Sequence, residues 1–353
     1  MRTDVKRSKI IKIKKQPLQC VDIGLQGLKI IALIVTILFL PFLLQKADAE
    51  AVIYKDKLGR TVSIPLPVKR AVFFQTYELI PALGIWNRVV GIGRYAYNND
   101  LMKAAMPDMR KKIPSAGSGI DINMETLLRL QPDLVITWTV NPANVRFMEE
   151  RGIRVITLYP ESIPELYDAM NFHGRVFGKE KEMHNVIALM EDIFSEVKKR
   201  VASIPTGEKQ KVLWIGSRPN AVACRIGVNN DIINMIGGVN PASVIEQRNA
   251  DVPVERIIAW NPDVIFIWGN AAYGSKDIIE NPQWQAVKAV REGRVYKAPE
   301  WSTWSPRLAP VALWMAMKTY PARFGDINFS TRADQFYKKV FGIGYKRVKK
   351  IEN

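Results

Sequence analysis

Residues 124–138, Met-Glu-Thr-Leu-Leu-Arg-Leu-Gln-Pro-Asp-Leu-Val-Ile-Thr-Trp, recur at 254–268 as Val-Glu-Arg-Ile-Ile-Ala-Trp-Asn-Pro-Asp-Val-Ile-Phe-Ile-Trp. Glu125 matches Glu255, Pro132 matches Pro262, Asp133 matches Asp263 and Trp138 matches Trp268, with apolar positions aligned between them. Each copy reads as a short amphipathic helix stopped by Pro-Asp, followed by the apolar run of a strand covered on both faces. That is the second half of a βαβ unit. A basic turn and a short strand follow each copy, at 151–159 and 291–299, so the duplication spans whole lobes. A period of 130 residues is too long for a solenoid repeat, and each copy is long enough for its own core. The fold class expected is α/β: two Rossmann-like lobes with mainly parallel sheets, joined by a long rigid helix, with a ligand cleft between them.

The first 49 residues read as an export leader. Lys6, Arg7, Lys9, Lys12, Lys14 and Lys15 form a basic region, residues 30–44 an apolar core, and Ala47-Asp-Ala49 an A-x-A cleavage site. The apolar stretch is shorter than the ~20 residues that span a bilayer. Cleavage after Ala49 would leave a periplasmic chain starting at Glu50; an uncleaved anchor is the rival. Cys20 precedes the apolar core, where a lipoprotein cysteine cannot stand, so a lipid anchor is not expected. The leader holds nine Lys or Arg and three Asp or Glu, so the net charge of +17 falls to +11 from Glu50 onward. Cys224 is then the sole cysteine, which excludes an internal disulfide and fits a small buried apolar residue.

Boundaries follow from the pattern: leader 1–49, N-terminal lobe 50–162, bridging helix 163–204, C-terminal lobe 205–342 and a basic tail 343–353. Residues 51–65 predict a hairpin turning at 56–59. Strands are expected at 71–74, 89–92 and 133–138, with helices at 77–84 and 125–130; the second lobe repeats this with strands at 211–215, 264–268 and 294–296 and helices at 230–237 and 255–260. The last helix is expected at 311–320, and the stretch 338–350 as a frayed, solvated end. Ser162-Ile-Pro-Glu165 is a capping box, and after a break at Gly178 the apolar spacing predicts a helix of about 24 residues, ~36 Å long. Such a spine implies small lobe motions. His173 and His184 both lie on this segment, away from any cleft.

The hairpin, the twofold Glu-x-x-x-x-Leu/Trp-x-Pro-Asp unit, the bridging helix and Trp301-Ser-Thr-Trp-Ser-Pro-Arg307 together carry a resemblance. Over residues 51–342 the chain resembles the helical-backbone (class III) periplasmic binding proteins for ferric siderophores and cobalamin, the ligand-capturing components of ABC importers. The resemblance implies capture of an iron complex, a ferric siderophore or similar metal chelate, and its delivery to an inner-membrane ABC permease by a monomer without cofactor, resident metal or nucleic-acid partner. It also implies that Glu125 and Glu255 dock on permease arginines. Each stands in the first turn of a helix, where the dipole favours a carboxylate by ~0.3–1 kcal/mol, so a capping role accounts for either glutamate alone.

Open α/β sheets bind ligands at the carboxyl ends of their strands. Reading past each strand gives Tyr77, Tyr95 and Tyr97, Trp138 with Asn141, Arg218, Trp268 with Asn270 and Tyr273, then Trp301, Trp304 and Arg307. The aromatics could wall a flat or macrocyclic ligand, and Arg218 and Arg307 could clamp anionic oxygens. Trp138 and Trp268 fit a cap on the sheet edge equally well, and Arg307 a structural arginine. No His stands near a Ser or Cys, no metal-ligand spacing occurs and Gly91-Ile-Gly93 is too short for a phosphate loop, so no enzyme is expected. Among ligands the alternatives are a corrinoid or haem; in another class, a periplasmic sensor or scaffold. Residues 115–121, just ahead of Glu125, lack the aromatic residue that cobalamin binders of this family tend to carry.

Overall fold

The computed structural model describes residues 50–138, 142–300 and 303–348. Residues 1–49, expected to be an export leader, Asn141, Trp301 and the end of the tail lie outside the described residues. β1 (Ala51–Lys55) and β2 (Thr61–Pro65) form an antiparallel hairpin. Next come β3 (Ala71–Phe73), α1 (Leu79–Leu83), β4 (Val89–Ile92), α2 (Asp100–Ala105), α3 (Met109–Lys112), α4 (Met124–Leu130), β5 (Leu134–Thr137), α5 (Pro142–Glu149) and β6 (Val155–Thr157). Their strands lie parallel in the order β4-β3-β5-β6.

After α6 (Ile163–Phe177) and α7 (Glu180–Val201), the second sheet is built from β7 (Val212–Ile215), β8 (Ala221–Ala223), α8 (Val228–Met235), β9 (Asn249–Asp251), α9 (Val254–Trp260), β10 (Val264–Ile267), α10 (Ser275–Ile279), α11 (Lys288–Arg291) and β11 (Val295–Lys297). Its order is β11-β10-β7-β8-β9, parallel from β11 to β7 and antiparallel at β8 and β9. The chain closes with α12 (Leu308–Thr319) and α13 (Phe329–Phe341).

The repeated sequence folds the same way twice, for the same reasons. Gln131 and Asn261 end α4 and α9 in the left-handed region, at φ 44° and 45°, and the proline that follows cannot continue a helix. The next residue clamps the neighbouring strand. Asp133 Oδ2 accepts from the amides of Lys69 and Arg70 at 2.8 and 2.9 Å, ahead of β3, and Asp263 Oδ2 accepts from Lys211 N at 2.7 Å, ahead of β7.

Within the strands the side chains alternate between two cores. Phe73, Leu134 and Ile136 of the first sheet and Val212, Trp214, Val264 and Phe266 of the second point into one continuous cluster, which α7 joins through Met183, Val186, Met190, Ile193, Phe194 and Val197. Val72 and Val135 face a separate outer cluster, and so, on the other sheet, do Leu213, Ile215, Ile265 and Ile267. The 22-residue α7 packs against α6 and α12 and also touches α1 of the first lobe and α8 of the second. Gly178, at φ 61°, supplies the left-handed turn that ends α6, where Ser162 Oγ accepts from Glu165 N at the start.

Two expectations at the C-terminus are corrected. The helix at α12 is not the last, because Ala333, Phe336, Tyr337, Val340 and Phe341 keep helical spacing in α13 and are buried. Nor is the segment from Lys338 a frayed end: Ile343, Tyr345 and Val348 are buried too, and Arg347 Nη2 donates to Ala104 O of α2 at 3.0 Å.

Candidate ligand cleft

A cleft of about 610 Å³ opens at the carboxyl ends of the central strands. Past β7 it is lined by Gly216, Ser217 and Arg218, past β10 by Trp268, and past β6 by Tyr159, Pro160 and Glu161. The antiparallel pair β8 and β9 supplies Ala221, Ala223 and the segment 248–251, Gly227 and the first residues of α8, Val228 and Asn229, add to the lining, and Thr303 and Trp304 close one side. One wall is a run of aromatic contacts: Trp304, backed edge-on by Trp138 at 6.4 Å, meets Tyr159 at 4.6 Å, and the Arg248 guanidinium lies 4.6 Å over the Tyr159 ring.

Two ion pairs set the electrostatics. Arg218 donates to Asp251 at 2.5 Å, and that hydrogen bond raises its pKa. Arg248 donates to Glu161, whose other oxygen lies 2.6 Å from Lys57 Nζ. Burial favours the neutral form of Glu161, but the hydrogen bonds from Lys57 and Arg248 hold its pKa below the ordinary carboxylate value. Asn229 Oδ1 is buried at the cleft with no hydrogen-bond partner among the described residues.

Residues 71–300 match the family model described as periplasmic binding protein. The chain belongs to the periplasmic binding protein family. It is 22% identical to the molybdate-binding protein MolA of Haemophilus influenzae, over 83% of this chain and 92% of MolA. It is 25% identical to the Fe(3+)-citrate-binding protein YfmC of Bacillus subtilis, over 56% of this chain and 65% of that protein. The crystal structure of Helicobacter pylori CeuE with Ni(II) bound superposes with a TM-score of 0.75 at 26% identity, covering 84% of this chain and 98% of CeuE. The α/β architecture with a long helix between two sheets is the one this periplasmic binding protein shares with such structures.

The site residues expected from sequence fall into three groups in this family member. Arg218, Trp268 and Trp304 line the cleft. Trp138 and Tyr273 stand behind the lining: the Trp138 indole lies over Gly119, where a Cβ would come 1.6 Å from Nε1, and Tyr273 Oη donates to Gly216 O at 2.8 Å. Gly119 therefore belongs to the glycine-rich segment that makes room for Trp138. Tyr77, Tyr95 and Arg307 are elsewhere. Tyr77 is half-buried against the central core, and burial pushes its phenol pKa up, while Tyr95 is exposed beside Arg94.

Arg307 is corrected as a ligand-facing residue, because it has no exposed surface. Its guanidinium grips Asp100 with both Nη atoms at 2.7 and 2.9 Å, reaches Glu78 at 3.1 Å, and donates from Nε to Tyr337 Oη at 2.8 Å. Burial alone would lower its pKa, but Tyr337, Glu78 and Asp100 raise it.

The lining residues that sequence reasoning passed over are Tyr159, Glu161, Trp214, Asn229 and Arg248. Tyr159 had a signal, since it stands just past β6 where the strand-end rule applies. Arg248 had none, because β8 and β9 have no counterpart in the first lobe.

Glu125 and Glu255 are both exposed in the first turns of α4 and α9. Glu125 does not cap α4: Asn123 Oδ1 accepts the Thr126 amide at 2.8 Å, and Glu125 reaches only the exposed Arg129, at 3.4 Å. Pro253 stands at the cap of α9, and Glu255 has no hydrogen bond or ion pair among the described residues. The free Cys224 is buried behind β8, and burial raises its thiol pKa.

Proposed function

We propose that the protein captures a ferric siderophore or a comparable anionic metal chelate in this cleft and delivers it to an ABC import permease, binding its cargo without chemical change. The observation that carries this reading is the pairing of an aromatic wall, Trp304 and Tyr159, with two arginines, Arg218 and Arg248, in one cavity. A volume of about 610 Å³ suits a small chelate. Flat or apolar chelator arms bury against the rings, and guanidinium forks match carboxylate, catecholate or oxyanion oxygens. Relatives named for binding molybdate and ferric citrate, and the Ni(II) bound in CeuE, support a metal-centred ligand, while the vitamin B12-binding relatives support the corrinoid alternative.

Export as a cleaved monomeric protein beginning at Glu50, and docking of Glu125 and Glu255 on the permease, complete the proposal. Two exposed carboxylates at matched places on both lobes, neither used for helix capping, support the docking.

Tryptophan fluorescence of residues 50–353 tests the reading, because Trp268 and Trp304 line the cleft. Ferric siderophores, ferric citrate, nickel with histidine, molybdate, haem and corrinoids are titrated in turn. Saturable quenching by a metal chelate and not by its metal-free form is the expected result. Tight binding of a corrinoid or haem instead would reassign the cargo, and silence across the panel would favour a sensor or scaffold.

A further inference from the structure

The second arginine of the cleft is already occupied from the opposite lobe. Arg248 opens the segment leading into β9, and its Nε donates to Glu161, which follows β6 and precedes the Ser162 cap of α6. Both residues line the cleft, with the Arg248 side chain 49% exposed and that of Glu161 18% exposed. Lys57 Nζ holds the other Glu161 oxygen at 2.6 Å, and the Tyr159 ring lies beneath the guanidinium. The carboxylate is thus fixed where an anionic donor of a ligand would meet Arg248.

We propose that Glu161 is a built-in competitor: it occupies Arg248 in the empty protein, is displaced by an anionic group of the chelate, and so selects for cargo that carries such a group. The inference rests on the chelate reading above, yet the ion pair exists without cargo. Exchange is feasible because the Arg248 side chain is half exposed, which weakens the pair by solvent screening, and Lys57 keeps a hold on Glu161 after it is displaced. A neutral complex gains nothing at Arg248 and leaves the pair intact. A carboxylate, catecholate or oxyanion replaces one anion by another and can take two guanidinium donors at once. Arg218 and Asp251 form a similar pair, but both belong to the second lobe, so only Arg248 with Glu161 ties cargo entry to a contact across the cleft.

The test compares wild type with Glu161→Gln, using Glu161→Asp as the charge-retaining control, after a thermal melt confirms that each folds. In the ligand-free proteins, modification of Arg248 by phenylglyoxal is followed by peptide mass spectrometry, with Arg225, paired to Glu246 outside the cleft, as internal reference. Ferric citrate and molybdate are then titrated by fluorescence. Glu161→Gln should raise the Arg248 modification rate and tighten binding of the anionic probe, each about fivefold, with Arg225 unchanged and Glu161→Asp close to wild type. Equal Arg248 reactivity in wild type and Glu161→Gln overturns the proposal whatever the cargo. Faster modification with unchanged or weaker probe binding also overturns it. Should neither probe bind either protein, the affinity comparison passes to whichever chelate of the full panel binds, silence across that panel ends the chelate reading, and the modification rate alone then decides whether Glu161 occupies Arg248.

Discussion

Removing the Arg307 guanidinium would leave Glu78 and Asp100 together in a site with almost no water, Glu78 being 1% exposed. Breaking a buried pair from one side costs about 3–5 kcal/mol, so Arg307→Ala should lower the urea midpoint strongly, or abolish folding, before any effect on ligand can be read. His173 is a second buried residue with a measurable signature. Its Nδ1 lies 2.6 Å from Ala169 O and so carries the proton, and Nε2 lies 3.0 Å from Thr76 Oγ1. Burial lowers its pKa from 6.5 to about 4. The folded state therefore resists a proton that the unfolded chain takes up, so the contribution of His173 is intact above pH 6.5 and declines as the pH falls to about 4, by roughly 3 kcal/mol. Urea midpoints measured across that window should fall more steeply in wild type than in His173→Gln. Side-chain direction was the least legible part of the sequence. Trp304 and Arg307 share one short loop, and local pattern cannot show that one faces the cleft while the other meets Asp100, 207 positions away.

Among the elements, the Pro-Asp clamp makes the duplication testable. Asp133→Ala frees two strand-leading amides from their carboxylate partner and Asp263→Ala frees one, together with Lys288 Nζ, held at 2.7 Å. Each should cost about 1–3 kcal/mol by chemical denaturation, and the double variant should show the sum, since the two clamps share no residue. These units were readable because the helix stop, the apolar run and the neighbouring strand recur together. Three-residue strands such as β8 and β9 carry too few side chains to show a period. The charges of Lys338 and Lys339 made α13 resemble a tail, although Ala333, Phe336, Tyr337 and Val340 mark its buried stripe.

For the whole molecule, the proposed encounter with a permease depends on Glu125 and Glu255 and not on the cleft. Glu125→Ala or Glu255→Ala should reduce permease-dependent uptake of the cargo while its Kd in solution stays unchanged; loss of affinity in both single variants would rule docking out. The two lobes share a repeated unit in sequence, and the obvious inference would be two independently stable domains. The central cluster argues otherwise, since the inner faces of both sheets and the buried stripe of α7 are parts of one core. Splitting the chain near Gly178 would cut through that core and leave each half with an open apolar face. Differential scanning calorimetry of residues 50–353 should therefore record one cooperative transition, with calorimetric and van't Hoff enthalpies in agreement, and neither half expressed alone should show a sigmoidal melt. With one core shared between the lobes, a destabilising change in either should lower the stability of both.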